Sequence, residues 1–64
     1  MPFIEINQLT GRDAETKAAI IDEVTAAYSR VTGIAPEKVW VKISETDPGD
    51  WGIGGKPLGG PTAK

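Results

Sequence analysis

Proline is the second residue of this 64-residue chain, directly behind Met1. A small second residue permits removal of the initiator methionine, and Pro2 then carries a free secondary amine. An α-amino group titrates near about 8, against about 10.4 for lysine, and an apolar setting or a neighbouring cation lowers the value further. An amine that is neutral at pH 7 can take a proton and return it, which is general acid–base catalysis without histidine. It can also condense with a carbonyl to an iminium. While Met1 is retained, the Pro2 nitrogen is an amide and this chemistry is closed to it. The remaining inventory is narrow. The chain has no histidine and no cysteine, which removes disulfides, thiolate nucleophiles, Ser-His triads and ordinary zinc sites. Carboxylates are the only strong metal ligands left, so a structural metal is not expected.

The bulk composition excludes other partners. Seven basic against nine acidic residues give a net charge of −2, without the positive footprint that phosphate backbones select, so no nucleic-acid partner is expected. No apolar run approaches the ~20 residues of a membrane span, and the N-terminus lacks a basic-then-apolar signal pattern. A cytoplasmic protein with no membrane partner is the expectation.

The elements that must position Pro2 are readable. Ile4 and Ile6 alternate with Glu5 and Asn7, the period of a half-buried strand over residues 3–8. Thr10-Gly11 interrupts it. Asp13 is placed as a helix N-cap with Glu15 in the first turn. Lys17, Ile20, Ile21, Val24, Ala27, Tyr28 and Val31 then recur at helical spacing, with Asp22, Glu23, Thr25, Ser29 and Arg30 opposite. This predicts an amphipathic helix of about 19 residues. Gly33 is placed to end it, and Pro36 bars its continuation. A second strand follows over residues 39–46, with Val39, Val41 and Ile43 on one face and Trp40, Lys42 and Ser44 on the other. Strand, helix, strand reads as an α+β chain whose two strands are parallel with a right-handed crossover. Asp47-Pro48-Gly49-Asp50 is a turn signal, Trp51 to Lys56 fits a short C-terminal hairpin, and residues 57–64 read as an extended, poorly anchored tail. Residues 1–64 make a single domain on this reading.

One helix over two strands cannot close a core, because the strand edges and the second sheet face stay open. A chain of this length also buries only about 60% of its unfolded surface. Both considerations predict an obligate homo-oligomer, starting from a dimer with a four-stranded sheet and two helices.

The run Pro2-Phe3-Ile4-Glu5-Ile6, then Leu9-Thr10-Gly11-Arg12, the helix, Val39-x-Val41 and Trp51-Gly52-Ile53-Gly54-Gly55 resembles the 4-oxalocrotonate tautomerase family. The likeness runs over residues 2–55 without a gap. It implies a β-α-β subunit, dimers commonly assembled to hexamers, no cofactor or metal, and an isomerase that tautomerises enols and 2-oxo acids, as in aromatic compound catabolism. Residue by residue, Pro2 corresponds to the catalytic base and Arg12 to an arginine that binds a substrate carboxylate, a task suited to its planar fork. Pairing of Arg12 with Asp13 or Glu15 on the surface is the plainer alternative. Trp51 corresponds to a pocket aromatic, usually Phe in the family, that helps keep the amine neutral, and Ile53 to the same wall. Trp40 stands where the best-known members carry a second arginine. An indole N–H donates one hydrogen bond but brings no charge, which points to a more apolar or monocarboxylate substrate. Lys42, on the face of Trp40 and about 7 Å along the strand, is the cation to weigh as a replacement.

Two other readings share these residues. One is an oligomeric or ligand-binding member of the fold without catalysis, with Met1 retained or function lost with the arginine at Trp40. The other is hydration or dehalogenation of an unsaturated acid, with Glu5, Glu45 or Asp50 activating water.

Overall fold

A computed structural model of the chain describes residues 1–59. Strand β1 (Phe3–Leu9) leads into helix α1 (Ala14–Thr32), and strand β2 (Trp40–Thr46) follows a 3₁₀ turn at Pro36–Lys38. A second 3₁₀ turn at Pro48–Asp50 precedes strands β3 (Gly52–Ile53) and β4 (Lys56–Pro57). β1 and β2 are parallel, in register from Phe3 opposite Trp40 to Leu9 opposite Thr46. β3 and β4 form the expected antiparallel hairpin. Its loop needs two residues at positive φ, and Gly54 (φ 63°) and Gly55 (φ 88°) supply them.

The helix boundaries have local causes. The Thr16 N–H donates to Asp13 Oδ1 at 2.8 Å, and Gly33 closes the other end in a left-handed conformation, its N–H donating to the Ser29 carbonyl at 2.8 Å. The hydrogen bond from Thr16 holds the Asp13 carboxyl below its ordinary pKa. A depressed folded-state value means the cap acts fully above the ordinary carboxylate range and is lost as pH falls through the folded value. Asp13→Ala is therefore expected to lower the melting temperature at pH 7. In melts followed by circular dichroism, the deficit should narrow as the pH is taken into the strongly acid range.

Lys17 falls on the inward stripe of α1 because it has a partner there. Its Nζ lies 3.2 Å from Glu45 Oε1 on β2, and Gln8 Nε2 of β1 donates to Glu45 Oε2 at 3.4 Å. One carboxylate thus ties the helix to both strands.

The 57–64 tail differs in part from its expected free course. The Leu58 N–H donates to the Trp51 carbonyl at 2.9 Å and the Gly59 N–H to the Pro48 carbonyl at 3.1 Å. Donors left by the hairpin thus find acceptors on the preceding turn. A Cβ at Gly59 would fall against the Pro48 side chain, so this approach requires glycine. The rest of the expected tail, residues 60–64, lies outside the described residues.

Among the described residues only Val39 is buried. Ile4, Ile6, Val41 and Ile43 are half-covered by the helix. The other sheet face leaves Phe3, Glu5, Asn7, Trp40 and Lys42 exposed, and Val31, on the expected apolar stripe, is 79% exposed. The surface is 4714 Å², where a compact monomer of this mass exposes about 4,000 Å². The radius of gyration is 14.9 Å, against about 11 Å for a compact chain of this length. Helix α1 leans over β2 and leaves an open groove beside β1 of about 370 Å³, lined by Ile4, Val24, Ala27, Tyr28, Val31 and Thr32. Half of a hydrophobic core is present. No helix among the described residues is long and apolar enough to cross a membrane.

Candidate active site

Pro2 lies at one end of the sheet. It is half-buried, and its carbonyl accepts the Trp40 N–H at 3.0 Å. That bond starts the β1–β2 ladder and fixes Trp40 beside the chain terminus. Trp40 faces away from the helix, in register with Phe3, and the two aromatics are 55% and 59% exposed. Next along the same face, Lys42 Nζ stands 3.9 Å from Glu5 Oε2. Ser44 Oγ donates to the same oxygen at 3.0 Å. Lys42, the candidate replacement cation, is therefore opposed by a carboxylate.

Arg12 lies at the other end. The Thr10 N–H donates to the Thr46 carbonyl at 3.1 Å, and Thr10 Oγ1 to Asp47 Oδ1 at 3.4 Å. These bonds clamp the start of the β1–α1 link to the end of β2. Arg12 follows this clamp, exposed, with no hydrogen bond or ion pair among the described residues. The alternative pairing with Asp13 or Glu15 does not occur, and Asp13 accepts from Thr16 instead. Trp51 ends the Pro48–Asp50 turn, half-buried, five residues past β2. Ile53 on β3 is 63% exposed. Among the described residues no three carboxylates gather closely enough to hold a metal ion.

One chain therefore carries the expected site in two parts. The eight residue-to-residue steps from Pro2 to Thr10 span about 26 Å at 3.3 Å per step. Pro2 and Trp40 share one end, and Arg12 and Trp51 belong to the other. The placement of Phe3 opposite Trp40, and of Glu5 against Lys42 and Ser44, was not identified from the sequence, because it follows from the strand register. That register rests on the Trp40–Pro2 hydrogen bond, which periodicity does not reveal.

The chain is thus a small parallel β-α-β subunit with open sheet edges, with Pro2 at one sheet end and Gly11-Arg12 at the other. The chain belongs to the tautomerase family, described as tautomerase enzyme, whose pattern matches residues 2–60. It is similar to the 2-hydroxymuconate tautomerase of Comamonas testosteroni, 40% identical over 55 residues, covering 86% of this chain and 87% of that one. Among solved structures it resembles TomN, a 4-oxalocrotonate tautomerase homologue of the tomaymycin biosynthetic pathway (TM-score 0.85, 35% identity, 89% of this chain and 88% of that one). It also resembles a heterohexamer 4-oxalocrotonate tautomerase from Chloroflexus aurantiacus J-10-fl (TM-score 0.84, 29% identity, 91% and 94% covered). Membership makes an isomerase of the tautomerase type its enzyme class.

Proposed function

We propose that this chain is a cytoplasmic, homo-oligomeric tautomerase that interconverts enol and keto forms of a 2-oxo acid, with Pro2 as general acid–base once Met1 is removed. The observation that carries it is the placement of Pro2 and Arg12 at opposite ends of β1, beside an unpaired strand edge and an apolar groove. Two copies joined antiparallel along that edge set the Pro2 end of each against the Arg12 end of the other. Each site then holds a base from one copy and a carboxylate anchor from its neighbour. The same pairing lets the second helix cover Tyr28 and Val31. A dimer is the smallest assembly with a complete site, and the heterohexameric assembly of the Chloroflexus relative supports a larger one.

The chemistry follows from the residues. The Arg12 guanidinium grips the substrate carboxylate with two parallel N–H donors. The neutral Pro2 amine takes the proton of the enol hydroxyl, the electron pair moves to carbon, and the resulting ammonium returns the proton there to give the ketone. Trp51 and Ile53, arriving with Arg12 from the neighbouring copy, exclude water from the amine and so favour its neutral form. Processed protein is expected to ketonise phenylenolpyruvate or 2-hydroxymuconate, followed by the loss of enol absorbance. No acceleration of either would refute the proposal. Sedimentation should show a dimer or larger species at micromolar concentration, and a folded 6.8 kDa monomer would refute the assembly.

A further inference from the structure

We infer that Trp40 makes this a site for enol acids with one carboxylate and a flat, apolar tail, and that it selects against dicarboxylates. The inference rests on the tautomerase reading and names its substrate class. Trp40 is joined to Pro2 by a backbone hydrogen bond of 3.0 Å, and the exposed indole lies beside exposed Phe3 on the open sheet face. Two aromatics at this place offer a stacking surface to an aryl or alkenyl group.

The charges at this end point the same way. The next cation on the face, Lys42, stands against Glu5, and Glu5 also accepts from Ser44. Lys38 lies in the Pro36–Lys38 turn ahead of the strand, outside the alternation that directs Trp40 and Lys42 to the open face. Arg12, arriving from the neighbouring copy, brings a guanidinium with no carboxylate partner among the described residues. It suffices for a single carboxylate. A second carboxylate reaching toward Trp40 would lose its hydration against the indole and meet the negative charge of Glu5, with no donor fork to receive it.

The test compares kcat/KM for phenylenolpyruvate, with one carboxylate and an aryl tail, and 2-hydroxymuconate, with two carboxylates, on the processed oligomer. At least about a tenfold preference for the aryl monocarboxylate is expected, the scale on which one pocket contact discriminates. Trp40→Phe should keep that preference. Trp40→Arg should shift it toward the dicarboxylate by about tenfold or more. Lys38→Ala should leave the ratio unchanged. Equal handling of both substrates by the native protein would overturn the inference. So would a ratio that responds to Lys38→Ala but not to Trp40→Arg, or a Trp40→Arg chain that falls to monomer while Trp40→Phe loses the preference. Titration of tryptophan fluorescence with 3-phenylpropionate and with adipate reads the same selectivity without turnover. A protein that binds the aryl monocarboxylate more tightly yet turns over neither enol upholds the inference and refutes the tautomerase reading. Equal binding of the two probes overturns the inference alone.

Discussion

Protein that keeps Met1 is expected to lose about 10²–10⁴ in kcat/KM for enol ketonisation against protein whose chain begins at Pro2, the range a positioned general acid–base contributes. The two forms differ by one residue at an exposed end, and the fold depends little on it, because the Pro2 carbonyl pairs with Trp40 in either form. What changes is the nitrogen, from an amide without basicity to an amine near neutrality. Intact mass sorts the two populations, and each is assayed on the same enol. Pro2→Ala, processed to a free alanine, keeps a primary amine and should show an intermediate loss. Equal rates with and without Met1 would place the acid–base group elsewhere and return weight to the carboxylates Glu5, Glu45 and Asp50.

Arg12→Ala is expected to raise KM for a carboxylate substrate and to lower kcat/KM by roughly 10–150-fold, the equivalent of a charge-assisted hydrogen bond of about 1.5–3 kcal/mol. Arg12 is exposed and unpaired among the described residues of its own chain, so the replacement should leave the melting temperature unchanged. A loss of activity without loss of stability separates an anchor for substrate from a structural arginine. Arg12→Lys should recover only part of the rate, because an ammonium does not present the planar fork that a carboxylate fits. Unchanged kinetics in Arg12→Ala would make it an ordinary surface residue.

Much of the subunit was legible because its punctuation is local. Asp13 and Gly33 mark the ends of α1 in the sequence and form its caps in the structure. The alternation around Ile4 and Ile6, and again around Val41 and Ile43, gives the covered sheet face. Periodicity does not say what covers an apolar residue. Val31 and Ile21 belong to the stripe by spacing, yet both are exposed, since a single helix leans over β2 and leaves the β1 side open. The sequence also contained the separation of the site into two ends. A strand of seven extended residues lies between Pro2 and Arg12, and that length alone forbids their meeting within one chain. The match of Gly11-Arg12 to a family pattern draws attention to the residues and away from the distance between them. The opposition of Lys42 by Glu5 and Ser44 lay out of reach, because it depends on register and side-chain conformation.

Subunit mixing tests the shared site most directly. Chains carrying Pro2→Ala and chains carrying Arg12→Ala are processed, combined in equal amounts and allowed to exchange, and ketonisation is measured before and after. If base and anchor come from different copies, random exchange rebuilds about a quarter of the sites with both native residues, and activity should rise well above that of either variant. Activity that stays at the mean of the two variants after exchange, with mass spectrometry showing mixed oligomers, would contradict a site shared between copies.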